Sequence, residues 1–202
     1  MIFTFLSLFL WEYFHVFLKN KNIMYNRKLN KNIISFTHSI LCTVIAYQNI
    51  LQDLPNYHLL YNFSFGYFLW DIIYILINRD YNDLMFIYHH IICLLALNSM
   101  INNNDSEIIN KVFFFGEASN FFNYVVYHCI KLDYLKKNII FLKILQFLWF
   151  FYFRMILISQ TIYEEFNNLN NKYFGYVLLS IHVLSFLWMS KQFKKISNYL
   201  LN

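Results

Sequence analysis

A chain of 202 residues that is 59% hydrophobic and 13% charged, with 24 Phe and 17 Tyr against three Gly and one Pro, is too apolar for a soluble domain and reads as a multi-span helical membrane protein. Its net charge of +5 falls in basic blocks between apolar spans rather than on one face of a domain, which argues against nucleic acid as a partner and for an anionic membrane surface. Cys42, Cys93 and Cys129 lie in apolar segments without CxxC spacing, which argues against a disulfide framework and a zinc site.

The first apolar window, 2–18, has no basic residue ahead of it and no small-residue cleavage site before Lys19, so it is expected to be a retained first helix. Further windows at 33–51, 58–77, 84–101, 109–130, 140–162 and 173–190 each approach the ~20 residues that cross a bilayer. The expected fold is therefore all-α, a transmembrane bundle of about seven spans. Basic residues follow the odd-numbered windows: Lys19, Lys21, Arg27, Lys28 and Lys31; Arg79; Lys131, Lys136, Lys137 and Lys143; Lys191, Lys194 and Lys195. The other side has only Lys111 and Lys172, with Asp53, Asp105, Glu107, Glu164 and Glu165. The positive-inside rule then places the N-terminus in the lumen or outside and the C-terminus in the cytosol, and an even number of spans would scramble the separation. Short Asn-rich loops and the lack of an internal repeat predict one bundle, with a first helix and basic loop over 1–30, the main transmembrane domain over 31–195 and a short tail over 196–202.

Polar residues recur at helical spacing within the windows: Ser35, His38, Cys42 and Asn49; Ser64, Tyr67, Asp71, Tyr74 and Asn78; Glu117, Asn120, Tyr124 and His128; His182 and Ser185. Offsets of three, four and seven put each set on one face, which a bundle turns inward. By helical rise, His38, His89 and Asp71 form a layer roughly 8–9 Å below the cytosolic boundary, whereas Glu117 and Arg154 lie roughly 20 Å deep and level with each other. An ionisable side chain in hydrocarbon marks a functional site, so His89, His90, Asp71 and His38 are the candidate catalytic residues. Glu117, Asn120, Asn123, Arg154, Tyr67, Tyr124 and His182 are the candidate ligand-binding ones. Glu117 and Arg154 are expected to interact directly or through Asn120 or water. Each histidine also has a structural reading as a hydrogen-bonding contact between helices, and the Glu117–Arg154 pair as a buried ion pair.

The histidines are too few and wrongly spaced for a di-iron oxygenase, and no metal or other cofactor is implied. Window 173–190 lacks the lysine that retinal would need, and there is no phosphate-binding glycine loop or GxSxG elbow.

Five segments together resemble the TLC-domain membrane proteins, which include ceramide synthases and several lipid-homeostasis proteins: SFTHS around His38, GYFLWD ending at Asp71, FIYHH ending at His90, GEASNFFN with Glu117 and Asn123, and FYFRMIL around Arg154. The resemblance covers roughly 30–195. Ceramide synthases carry a His-Asp and then a Ser-Asp where this chain has Gly116-Glu117 and Ser119-Asn120, so the smaller lipid-homeostasis branch is the closer likeness. The resemblance implies a protein of the endoplasmic reticulum or a related membrane that binds membrane lipids and takes part in lipid homeostasis. The alternative it implies is an acyltransferase moving an acyl group from acyl-CoA, a co-substrate, to a lipid amine. His89 or His90 would then be the base or acyl acceptor, with Asp71 or His38 orienting the ring. His89, which shares its face with Cys93 and Ala96, is the expected inward ring. A channel or proton-coupled transporter is a third class, for which no relay between the two depths is evident.

Overall fold

In the computed structural model the described residues, 2–20, 26–78, 84–102, 105–166, 169 and 172–201, form nine α-helices. These are α1 (Ile2–Asn20), α2 (Arg27–Leu51), α3 (Tyr57–Ile77), α4 (Leu84–Ile101), α5 (Ser106–Ala118), α6 (Phe121–Lys131), α7 (Ile139–Phe150), α8 (Ile158–Glu165) and α9 (Lys172–Leu201). Lys21 and Arg79, which entered the charge argument, lie outside the described residues. A π-helical stretch, Phe151–Leu157, joins α7 to α8 into one rod from Lys136 to Glu165. Among the described residues five helices are long and apolar enough to cross a membrane: α1, α2, α3, α4 and this rod.

Helix α2 begins six residues before the expected 33 because Asn26 caps it. The Asn26 side chain accepts from the Lys28 amide at 2.8 Å, and its carbonyl accepts from Leu29 and Asn30. Lys28 and Lys31 are thereby fixed on the helix instead of in a loop. Asn56 caps α3 in the same way, accepting from the Leu59 amide at 3.1 Å. Lys143, read as part of a loop block, instead lies on α7 with its Nζ 3.4 Å from the centre of the Tyr199 ring on α9. The window 109–130 is not one helix but two, α5 and α6, broken at Ser119 and Asn120.

With lipid on the outside, helix association needs close backbone approach and interhelical hydrogen bonds. Both are present. Helix α1 lies so close to α3 that a Cβ on Gly66 would stand 2.5 Å from Ser7 Oγ and 2.7 Å from the Leu8 amide nitrogen. Ser7 Oγ donates to the Phe63 carbonyl at 3.0 Å, and Thr4 Oγ1 donates to Asn62 Oδ1 at 2.9 Å. Between α2 and α5, Asn49 Nδ2 donates to Asn110 Oδ1 at 3.1 Å while Asn110 Nδ2 donates to the Ala46 carbonyl at 3.0 Å. Both asparagines are buried.

Because the atoms facing Gly66 include backbone, a larger residue there cannot be relieved by a rotamer change. Gly66→Val is expected to destabilise the protein by about 1–3 kcal/mol, the usual cost of overpacking. Thermal unfolding in detergent measures it, and an unchanged melting temperature would contradict the α1–α3 contact.

Candidate functional site

A cavity of about 490 Å³ opens between α2, α3, α4, α5, α6, the α7–α8 rod and α9. Exposed Lys28, Lys191 and Lys195 stand at its rim, whereas Asp71, His89, His90, Glu117 and Arg154 line it from buried positions. The wall is completed by Tyr67, Phe68, Phe150 and Trp188.

Asp71 on α3 is the junction of the outer half. Its Oδ1 lies 3.1 Å from Lys31 Nζ and its Oδ2 lies 3.3 Å from His90 Nδ1. The early start of α2 makes the first contact possible, because it puts Lys31 on the face that carries Ser35 and His38. Lys31 also sits 5.6 Å above the Tyr74 ring. Beside this group Tyr67 donates to Ser35 Oγ at 2.8 Å.

The histidines divide differently from the expectation. Both His89 and His90 line the cavity, but the ring with a carboxylate partner is His90. His89 lies with Nε2 3.7 Å from Cys93 Sγ and meets Trp188 edge-on at 5.3 Å. Adjacent residues on a helix point 100° apart, and α3 with Asp71 lies on the His90 side. His38 does not line the cavity. It is buried behind Tyr67, on which it stacks at 3.8 Å, with Nε2 3.2 Å from Ser64 Oγ and Nδ1 4.0 Å from Glu117 Oε2. Tyr67 separates it from the ring it was expected to orient.

At the deep end, Glu117 and Arg154 do not form the direct pair that their matched depth suggested. Arg154 instead donates from Nη2 to the Gly116 carbonyl at 3.0 Å and from Nε to Ser119 Oγ at 2.8 Å. The reason lies in the break between α5 and α6. The Asn120 amide bonds the Glu117 carbonyl, three residues back, so the Gly116 carbonyl is released from the ladder. Arg154 and Ser119 Oγ, the latter at 2.6 Å, take that carbonyl up. Arg154 itself sits within the π-helical stretch, a feature common at functional sites because one extra residue re-aims the side chains beside it. Glu117 is placed beside His38 and receives Asn120 Nδ2 at 3.5 Å.

Residues 28–194 match the TLC domain. The chain belongs to the TLC domain family. No curated protein and no solved structure matches it. All of the cavity lining except Lys195 lies inside the matched TLC domain, while α1 lies outside it.

Of the remaining candidates, Asn120, Asn123 and Tyr124 line the TLC-domain cavity, and Asn123 Oδ1 accepts from Gln146 at 2.6 Å and from Gln192 at 3.2 Å. His182 does not. It faces a separate depression of about 380 Å³ with Ile162, Tyr163, Phe166 and Leu179, its Nε2 3.1 Å from Ser159 Oγ. The sequence reading left out Lys31 as a partner of Asp71, and also Gln146, Trp188 and Gln192. Lys31 was detectable: Lys31, Ser35 and His38 continue one helical stripe. Among the described residues no group of three His, Cys, Asp or Glu is placed to hold a metal ion.

A double-mutant cycle tests Ser119 against Glu117 as the partner of Arg154. Replacing Arg154 by Leu is expected to cost about 3 kcal/mol, since hydrogen bonds from a charged group are worth about 1.5–3 kcal/mol each. The coupling energy between Arg154→Leu and Ser119→Ala should exceed that between Arg154→Leu and Glu117→Gln in unfolding measurements. The reverse order would mean that Glu117 is the true partner.

Proposed function

We propose that this TLC-domain protein binds a lipid amphiphile in the cavity, and through that binding takes part in setting membrane lipid composition. The observation that carries the reading is the arrangement of the lining: exposed lysines at the rim, a polar interior, and apolar Phe68, Phe86, Phe150 and Trp188 beside it. The volume lies in the range of sites that enclose small molecules. The rim faces the cytosol in this reading, with seven passes, α5 and α6 together counted as one, and the N-terminus lumenal or external. Support comes from Lys28, Lys31, Lys191 and Lys195 lying at one end of the bundle. An endoplasmic reticulum membrane is the setting that the family likeness favours.

A second reading, acyl transfer from acyl-CoA to a lipid amine, is favoured by the 3.3 Å contact between Asp71 and His90. In it His90 is the general base and Asp71 orients its ring. His90 accepts the amine proton as nitrogen attacks the thioester carbon. The C–N bond forms, the C–S bond breaks, and the coenzyme A thiolate leaves and is protonated.

Mass spectrometry of the purified protein should find retained lipid, and Lys31→Glu with Lys191→Glu should reduce it. With acyl-CoA and a lipid amine supplied, the second reading expects His90→Ala to remain folded and to lose turnover by orders of magnitude, with His89→Ala milder. Absence of wild-type turnover, with lipid still bound, leaves the first reading standing alone. For topology, a cysteine at Asp53 should react with impermeant reagent from the lumenal or external side, and one at Lys137 from the cytosol. Labelling of both from one side sinks the seven-pass arrangement.

A further inference from the structure

A second cavity of about 600 Å³ lies on the other side of α3, between α1, α2 and α3. Leu8, Trp70, Ile73 and Ile77 form its apolar walls, and Lys19 and Arg27 stand at its rim. Lys19 belongs to the last turn of α1 and Arg27 is the first residue of α2. Arg27 Nη1 donates at 2.6 Å to Asn78 Oδ1, which caps the end of α3. Three helix ends therefore meet at one boundary of the bundle, with both cations there. Along α1, Leu8, Glu12, His15 and Lys19 follow one another at spacings of four, three and four, so all share the face turned to the groove. The groove descends roughly 16 Å from Lys19 to Leu8 at 1.5 Å per residue. Glu12 lies about two turns below Lys19, where its Oε2 accepts from Trp70 Nε1 at 2.8 Å and lies 3.6 Å from His15 Nδ1.

We propose that this groove binds an anionic glycerophospholipid, its phosphate between Lys19 and Arg27 and an acyl chain along Leu8, Ile73 and Ile77. Topological charge bias accounts for basic residues at this end of the helices. It does not account for their standing on the walls of an apolar groove. Cationic at the rim and apolar along Leu8, Ile73 and Ile77, with Glu12 held by Trp70 and His15 on the α1 wall between them, the groove complements a phosphate joined to a hydrocarbon chain and gives no advantage to a neutral lipid. The site is separate from the TLC-domain cavity, with Tyr74 lining both.

The test uses the full-length protein in detergent with phosphatidylglycerol or phosphatidylcholine carrying a photoreactive group in one chain, the labelled peptides being mapped by mass spectrometry. Phosphatidylglycerol is expected to label α1 and the second half of α3 in preference to phosphatidylcholine. Lys19→Gln and Arg27→Gln should each reduce that label about fivefold, in line with ~1 kcal/mol per basic residue at an anionic lipid surface. Lys19→Arg should retain it. Ile73 is 45% exposed, so Ile73→Trp fills the groove from the lipid side without disturbing the core and should also abolish labelling. Labelling confined to α4 and α9, equal labelling by the two lipids, or labelling that survives Ile73→Trp overturns the proposal. The first of these assigns the lipid to the TLC-domain cavity and leaves the reading of that cavity intact.

Discussion

The arrangement of the TLC domain depends on one buried cation. An arginine inside a membrane bundle is tolerated only where its donors are met, and Arg154, 2% exposed, is met by the Gly116 carbonyl and the Ser119 hydroxyl at the break between α5 and α6. Gly116 can present its carbonyl because the chain leaves the α-helical ladder three residues later, and the chain can leave the ladder because Arg154 accommodates the carbonyl so released. Break and cation require each other. The same junction is held from two other sides: Ser39 Oγ donates to the Glu117 carbonyl at 2.8 Å, and Trp149 Nε1 donates to the Ala118 carbonyl at 2.8 Å. Helices α2, α5, α6 and α7 are thus joined at the floor of the cavity by backbone groups that an unbroken helix would have kept for itself.

Much of this was legible in the sequence. Helical spacing and hydropathy located the apolar segments, and the rule that ionisable groups in hydrocarbon face inward brought out Asp71, His89, His90, Glu117 and Arg154, all of which line one cavity. What was not legible has specific causes. Depth along an axis says that Glu117 and Arg154 are level, but not which way each points around the axis, and a broken ladder offers the arginine a better-placed acceptor than the carboxylate. Periodicity could not reveal the break, because Gly116, Ser119 and Asn120 are all compatible with a helix until a tertiary partner claims the carbonyl. His38 shares its stripe with Ser35, which lines the cavity, yet Tyr67 stacks over its ring and closes it off. The early start of α2 followed from a capping asparagine that the apolar window did not include.

Helix α1 illustrates a different limit. Its face with Glu12, His15 and Lys19 passes for ordinary interfacial polarity when the helix is considered alone. Only its close seat on α3, allowed by Gly66 and Ser7, brings that face against Trp70, Ile73 and Ile77 and makes a groove. The contact is outside the residues that match the TLC domain on one side and inside them on the other. A feature made jointly by a domain and the helix packed against it cannot be read from either segment.

The charges of the TLC-domain cavity are distributed unevenly, and the distribution constrains what fits there. Five basic side chains, Lys28, Lys31, Arg154, Lys191 and Lys195, line it against two carboxylates, Asp71 and Glu117. Lys31 is compensated locally by Asp71 at 3.1 Å, and Arg154 lies at the same helix break as Glu117. The charge exposed at the rim is that of Lys28, Lys191 and Lys195. Desolvation makes a net charge costly in the interior and cheap at the mouth, where water screens it. A ligand complementary to this profile carries its negative charge at the outer end, above the Asp71–His90 contact, and a neutral polar group at the inner end, near Glu117 and Arg154. In the proposed lipid-binding reading, the rim attracts and orients an amphiphile whose charged part stays in water at the mouth.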